Sequence, residues 1–109
     1  MTIEEEWMRT AIAEAKLSLE HNDVPIGALV IFNGEIISSR HNERELQKDP
    51  TAHAEVLAIR DAAKSMGTSR LDGATVVTTL EPCPMCAGAC LLARVSHVIF
   101  GAEDPKAGS

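Results

Sequence analysis

Tyrosine is missing from this 109-residue sequence, and the aromatic residues are limited to Trp7, Phe32 and Phe100. With 45% apolar residues overall, the interior is aliphatic and rich in alanine, the composition of a globular chain rather than a disordered one. No apolar run reaches the roughly 20 residues that span a bilayer; the longest, around residues 26–32 and 85–93, are far shorter. Basic residues are also scarce, 10 Lys and Arg against 16 Asp and Glu, for a net charge of −6. Nonspecific nucleic-acid affinity comes from cations that displace counterions, so an extended electrostatic grip on RNA or DNA is not expected and any such contact must be local. The first residues carry Glu4, Glu5 and Glu6 where a signal or transit peptide carries Lys or Arg; the expected address is cytoplasmic. Cysteine is limited to Cys83, Cys86 and Cys90. An odd, tightly clustered set is a poor disulfide framework and, in a reducing compartment, reads as metal-binding. At this length one core and a single domain are the natural expectation.

Thr2 and Glu5 have the spacing of a capping box, and Trp7, Met8, Ala11, Ile12, Ala15 and Leu19 recur at helical spacing, which predicts an amphipathic helix up to about Asn22. Asp23-Val24-Pro25 breaks it. Residues 26–32 have strand length and end at Asn33-Gly34, a two-residue hairpin signal, with the return strand running from Glu35 to about Arg40. The polar stretch 41–51, closing on Asp49-Pro50-Thr51, reads as a loop. A helix beginning near His53 follows, with Val56, Leu57, Ile59, Ala62 and Ala63 on its buried side and Met66-Gly67 as its stop. A Val- and Thr-rich strand over 74–80, a helix opened by Pro84 and reaching about Arg94, and a strand over 97–102 complete the pattern. The order α-β-β-α-β-α-β gives an α/β fold in two or three layers, its later strands joined by helical crossovers.

Two short segments carry the chemistry. His53-Ala54-Glu55 opens one predicted helix and Pro82-Cys83-Pro84-Met85-Cys86 opens the next, with a strand between them. Crossovers on one side of a sheet bring such helix starts to the same edge, so one imidazole and two thiolates can converge on a tetrahedral zinc and leave one position for water. The positive end of a helix favours the thiolate form that binds metal. Water held by zinc becomes acidic enough to react near neutral pH, but displacing an amine also needs a proton shuttle, and Glu55, two residues past a ligand, is placed to be one. H-x-E followed by P-C-x-x-C is the signature by which zinc deaminases of cytosine and adenine are recognised. A lone Cys-x-x-Cys would be a weak signal; joined to His-x-Glu it is specific. The bland alternative is a closed structural site with Cys90, four residues after Cys86, as a fourth ligand. Its small and apolar neighbours favour a packed core cysteine. His21, His41 and His97 belong to no motif and receive no chemistry.

The chain also resembles the bacterial tRNA adenosine deaminases over nearly all its length. The shared stretches are the Trp7-Met8 helix, Val24-Pro25-Ile26-Gly27-Ala28, PTAHAE at 50–55, RLDGAT at 70–75, TLEPCPMCAGA at 79–89 and FGAEDPKAG at 100–108. The resemblance implies the cytidine deaminase-like fold, a homodimer with one zinc per subunit, and conversion of the wobble adenosine of a tRNA anticodon to inosine. Carried over by position, it implies His53, Cys83 and Cys86 as zinc ligands, Glu55 as the proton shuttle, and Asn42, Ala54 and Asp104 as substrate contacts, Asn42 touching the flipped nucleotide and Asp104 lying at the RNA rim. Members of that family continue for several tens of residues through a further strand and a helical tail, so a chain ending at Ser109 is expected to lack them. Guanine deaminases share AHAEV and PCPMC and are the nearest rival; a zinc-stabilised module without turnover is the rival from another class.

Overall fold

The computed structural model describes residues 1–106 and 108. Its elements are α1 (Ile3–Lys16), β1 (Gly27–Phe32), β2 (Glu35–His41), α2 (Arg44–Gln47), α3 (Ala54–Met66), β3 (Thr75–Leu80), α4 (Pro84–Ala93) and β4 (His97–Ala102), with a 3-10 turn, Leu17–His21, continuing α1. The sheet order is β2-β1-β3-β4; β1 runs antiparallel to both neighbours, and β3 and β4 are parallel. This is the expected mixed α/β sheet. Among the described residues no helix is long and apolar enough to cross a membrane.

Alternation along β1 builds three layers, because successive side chains of a strand point to opposite faces. Ala28 and Val30 pack with Val76 of β3 against Ala54, Ala58 and Ala62 of α3 and Cys90 and Ala93 of α4. Leu29 and Ile31 pack with Val77 against Ala11 of α1, with Trp7, Met8 and Ile99 at the margin. The alanines that replace aromatics in this sequence let the helices lie close to the sheet. Both bonds of the Thr2/Glu5 capping box form, and α1 ends as α-helix at Lys16. Its final turn tightens to 3-10 geometry before Asn22 stops it at φ 61°, so the expected helix to Asn22 is α-helical only in its first part.

Gly27 marks the closest approach of helix and sheet. A Cβ there would lie 2.0 Å from the carbonyl oxygen of Ala11 and 2.8 Å from the backbone nitrogen of Ala15. Backbone cannot step aside as a side chain can, so α1 would have to lift. Overpacking typically costs about 1–3 kcal/mol; Gly27→Ala is expected at or above the top of that range. Gly34, with nothing near its added Cβ but φ +77°, is expected to cost only about 1 kcal/mol on substitution to Ala. Urea unfolding of the two variants checks the order, and equal losses would contradict this packing.

The hairpin closes as expected, with Phe32 paired to Glu35 and positive φ at both Asn33 and Gly34. A register shift between Val30 and Ile31 then sets which β2 side chains face which layer. Ser38 donates to the carbonyl of Ala58 and Arg40 pairs with Asp61, both on α3. Ser39 and His41 instead reach Glu14 on α1. The expected loop over 41–51 is corrected at both ends of its first half: His41 closes β2, and Arg44–Gln47 forms the one-turn helix α2.

Three carboxyls around α2 sit below their ordinary pKa. For Asp23, burial pushes up but is outweighed by the N–H groups of Glu45 and Leu46 and by His21. For Glu43, burial is outweighed by Arg40 and Gln47, while Asp49 is lowered chiefly by the backbone N–H and hydroxyl of Thr51. A carboxyl depressed in the native state stabilises it above the unfolded-state pKa, and that stability is lost as pH falls through the lower native value. Stability is therefore expected to fall below about pH 4. Urea midpoints between pH 2 and 6, with and without metal to separate acid release of the ion, check this; a midpoint that rises on acidification would contradict it.

Candidate metal centre

His53 and Cys83 occupy the N-cap positions of α3 and α4, both with extended backbone and no side-chain capping bond. A cap residue that does not cap has its side chain free to turn elsewhere. Pro84 follows Cys83 as the first helical residue, where its missing N–H is no loss, and Cys86 lies two positions further on. The expectation that both segments open helices is met, with the histidine and first cysteine one step before the first turn.

The two helix starts meet. His53 Nδ1 lies 3.7 Å from Cys83 Sγ and 3.5 Å from Cys86 Sγ, and the three ligand atoms all fall within 4.8 Å of one another. Zinc bonds of about 2.0–2.1 Å to nitrogen and 2.3 Å to sulfur, opened at the tetrahedral angle, place N and S about 3.6 Å apart. The donor set and its spacing therefore fit zinc. Among the described residues this is the one His/Cys/Asp/Glu group with such spacing.

Electrostatics supports a cation at this point. Burial, followed by the negative charges of Glu55 and Cys83, pushes the Cys86 thiol far above its ordinary value, so a thiolate there needs a positive neighbour. Glu55, in the first turn of α3, is only 4% exposed, and its Oε1 has no hydrogen-bond partner among the described residues. Burial raises its pKa, against the opposing effects of its own backbone N–H and of His53. A buried, unpartnered carboxylate oxygen destabilises a fold, and a role in a site is one reason such a group is kept.

Cys90 is placed outside this group. It is 4% exposed, packs in the core with Ala54, Ala58 and Ala93, and shares an apolar groove with Pro82, Ala87, Val98 and Phe100. Burial, with Glu55 adding to it, pushes its thiol up to about 11. The group therefore offers three ligand atoms among the described residues, and a four-coordinate metal held by them would have one position left for another ligand.

The residues expected to touch substrate are placed differently from one another. Asn42 is buried, with Nδ2 donating to the Val24 carbonyl and Oδ1 accepting from Arg44 N–H. It neighbours the metal centre through Glu43, whose N–H donates to the carbonyl of Ala52, the residue before His53. Asp104 is half-buried just after β4; its N–H donates to Glu81, two residues before Cys83, and its Oδ1 accepts from Lys106 N–H. Ala54 is 0% exposed and part of the core.

Sequence reasoning missed Asp23, His21 and His41. Asp23 accepts from the N–H groups of Glu45 and Leu46, and the His21 and His41 rings stack with centroids 5.3 Å apart. Apart from the local His21–Asp23 pair, these contacts join residues 20 or more apart, and no local motif announces them.

Residues 1–102 match the cytidine and deoxycytidylate deaminase zinc-binding region. The chain is 56% identical over 108 residues to the tRNA-specific adenosine deaminase of Bacillus subtilis, covering 99% of this chain and 67% of that protein. Among solved structures, one from a study of A-to-I editing by tRNA:A34 deaminases at the wobble position superposes with a TM-score of 0.93 at 42% identity, over 95% of this chain and 75% of that one. The guanine deaminase of Bacillus subtilis superposes with a TM-score of 0.87 at 40% identity, over 91% of this chain and 64% of that one.

Proposed function

The chain belongs to the cytidine and deoxycytidylate deaminase zinc-binding family, and from that premise we propose that it hydrolyses adenosine to inosine at the wobble position of tRNA, releasing ammonia. One observation carries the reading: His53, Cys83 and Cys86 converge at metal-ligand spacing beside Glu55, whose buried Oε1 has no hydrogen-bond partner among the described residues. The identity to a tRNA-specific adenosine deaminase selects the substrate.

In this reading His53, Cys83 and Cys86 hold one zinc, which when bound makes water nucleophilic near neutral pH. Glu55 does the proton work. It takes a proton from the attacking water and delivers it to the purine ring nitrogen as oxygen adds at carbon six, then takes the second proton from the new carbon-six hydroxyl and passes it to the amine, which leaves as ammonia. Adenosine and water give inosine and ammonia, and the carboxylate is regenerated. Asn42 and Asp104 meet the nucleotide and its RNA. The base must leave its stack to reach Glu55, which an unpaired anticodon loop permits at small cost.

Residues 1–109 act as one deaminase domain, in the reducing cytoplasm where its ligand thiols stay free. The domain works as a homodimer. Support comes from α4, which carries no charged residue and leaves Leu91 77% and Leu92 82% exposed; a helix apolar all round is one that expects cover.

A substrate panel tests the proposal. Zinc-loaded protein is expected to form inosine and equal ammonia from an anticodon stem-loop with a wobble adenosine, and neither from free guanine. Ammonia from guanine with none from the stem-loop would move the assignment to the guanine deaminases, whose fold the chain shares. Bound zinc without turnover of either would leave a structural module.

A further inference from the structure

The helix α2 has four residues, and its own N-cap residue, Glu43, makes no side-chain capping bond. A helix this short has no stability of its own. Its cap comes instead from far along the chain: Asp23 Oδ1 accepts from Glu45 N–H at 2.7 Å and Oδ2 from Leu46 N–H at 3.1 Å. Asp23 is 4% exposed and is itself held, with His21 Nδ1 2.6 Å from its Oδ2. The His21 ring stacks on that of His41, and His41 pairs with Glu14 of α1. The cap is thus anchored to the helix on the far face of the sheet.

What this cap holds is the edge of the metal centre. Asn42 leads into α2, its N–H donating to Ile26 and its side chain bonded to Val24 and Arg44. The segment closes where Glu43 N–H meets the Ala52 carbonyl, one residue before His53. His53 and Glu55 have a separate support, because α3 is fixed by Ala54, Ala58 and Ala62 in the core. Loosening α2 therefore shifts the rim that carries Asn42 and leaves the metal ligands and Glu55 in place.

We propose that Asp23 is a positioning residue for the substrate: its carboxylate caps α2 across the fold and holds segment 42–52 in the shape that the RNA meets. The proposal rests on the deaminase reading given above. Both oxygens are needed, since two N–H donors converge on them. Asn offers one acceptor and turns a competing NH2 toward the other donor, whereas Glu retains both oxygens.

The test compares Asp23→Asn and Asp23→Glu with the unmodified protein, all zinc-loaded, by steady-state kinetics on the anticodon stem-loop, zinc content and amide hydrogen exchange. For Asp23→Asn, KM is expected to rise about 10-fold, the scale of one lost hydrogen bond to a charged group, with kcat and zinc content unchanged. Exchange protection at Glu45 and Leu46 should disappear, and Asp23→Glu should restore both protection and KM. Should Asp23→Asn fail to fold, Glu45→Pro removes one of the same donors from an exposed position and is expected to raise KM alike. Protection unchanged in Asp23→Asn overturns the cap. Protection lost with KM unchanged, or kcat and zinc falling together, overturns the positioning role. If the unmodified protein turns over no substrate, the deaminase reading has failed, and hydrogen exchange still decides whether Asp23 caps α2.

Discussion

Glu55→Gln is expected to lower inosine formation by about 10³-fold, within the 10²–10⁴-fold range that a positioned acid–base group supplies, while zinc content stays unchanged. The argument is one of placement. Glu55 is two residues from His53 on a helix whose inner side is locked into the core, so an isosteric amide preserves the shape and removes only the ability to carry a proton. Stability should move the other way. The carboxylate is buried with Oε1 unpartnered, and replacing it by a neutral amide relieves a desolvation penalty on the order of 1 kcal/mol. A variant that is inactive, metal-replete and at least as stable separates a catalytic Glu55 from a structural one. Unchanged activity in that variant would favour a module without turnover, and loss of zinc would mean that Glu55 supports the metal centre instead.

The second large effect is expected from Cys86→Ser. Cys86 is fully buried and its sulfur is one of three atoms in the metal-binding group, so the variant should bind zinc far more weakly and lose activity with it. Zinc is also a stabiliser of the native state by mass action. At a free concentration about 1,000 times Kd it contributes about 4 kcal/mol, which for a domain of about 100 residues corresponds to roughly 15–30 °C in Tm. Adding a chelator to the unmodified protein should remove that increment, and Cys86→Ser should show little of it to remove. Cys90→Ala is the control. That side chain packs in the core and is not one of the three residues of the metal-binding group, so its loss should cost some stability while zinc content and inosine formation remain. Equal loss of zinc from both variants would contradict the separation of Cys90 from the metal-binding group.

The parts of this molecule legible in its sequence are those whose determinants lie close together along the chain. Asn33-Gly34 forms the hairpin because two adjacent residues accept positive φ. Pro84 opens α4 and the Thr2/Glu5 box opens α1 because each signal spans a single helical turn. His53, Cys83 and Cys86 are brought together over a longer distance, yet a strand and two helix starts on one face are enough to specify it. The elements that escaped depend on contacts with no local imprint. The segment Asp23-Val24-Pro25 reads as a helix breaker, and nothing in it reveals that the Asp23 carboxylate caps a helix more than 20 residues later. The helix α2 is equally silent, because its four residues are exposed and its cap is supplied from elsewhere. His21 and His41 look solitary in sequence and meet only when α1 folds over the end of β2.

Zinc K-edge X-ray absorption of the zinc-loaded protein tests the central claim most directly, namely a metal held by three side chains with one position left for chemistry. The expected spectrum has two sulfur scatterers at about 2.3 Å and two nitrogen or oxygen scatterers at about 2.0–2.1 Å, one of which changes when a competing anion such as cyanide is added. Three sulfurs with no exchangeable ligand would bring Cys90 into a closed structural site, and the proposed deamination would then have no position at which to occur.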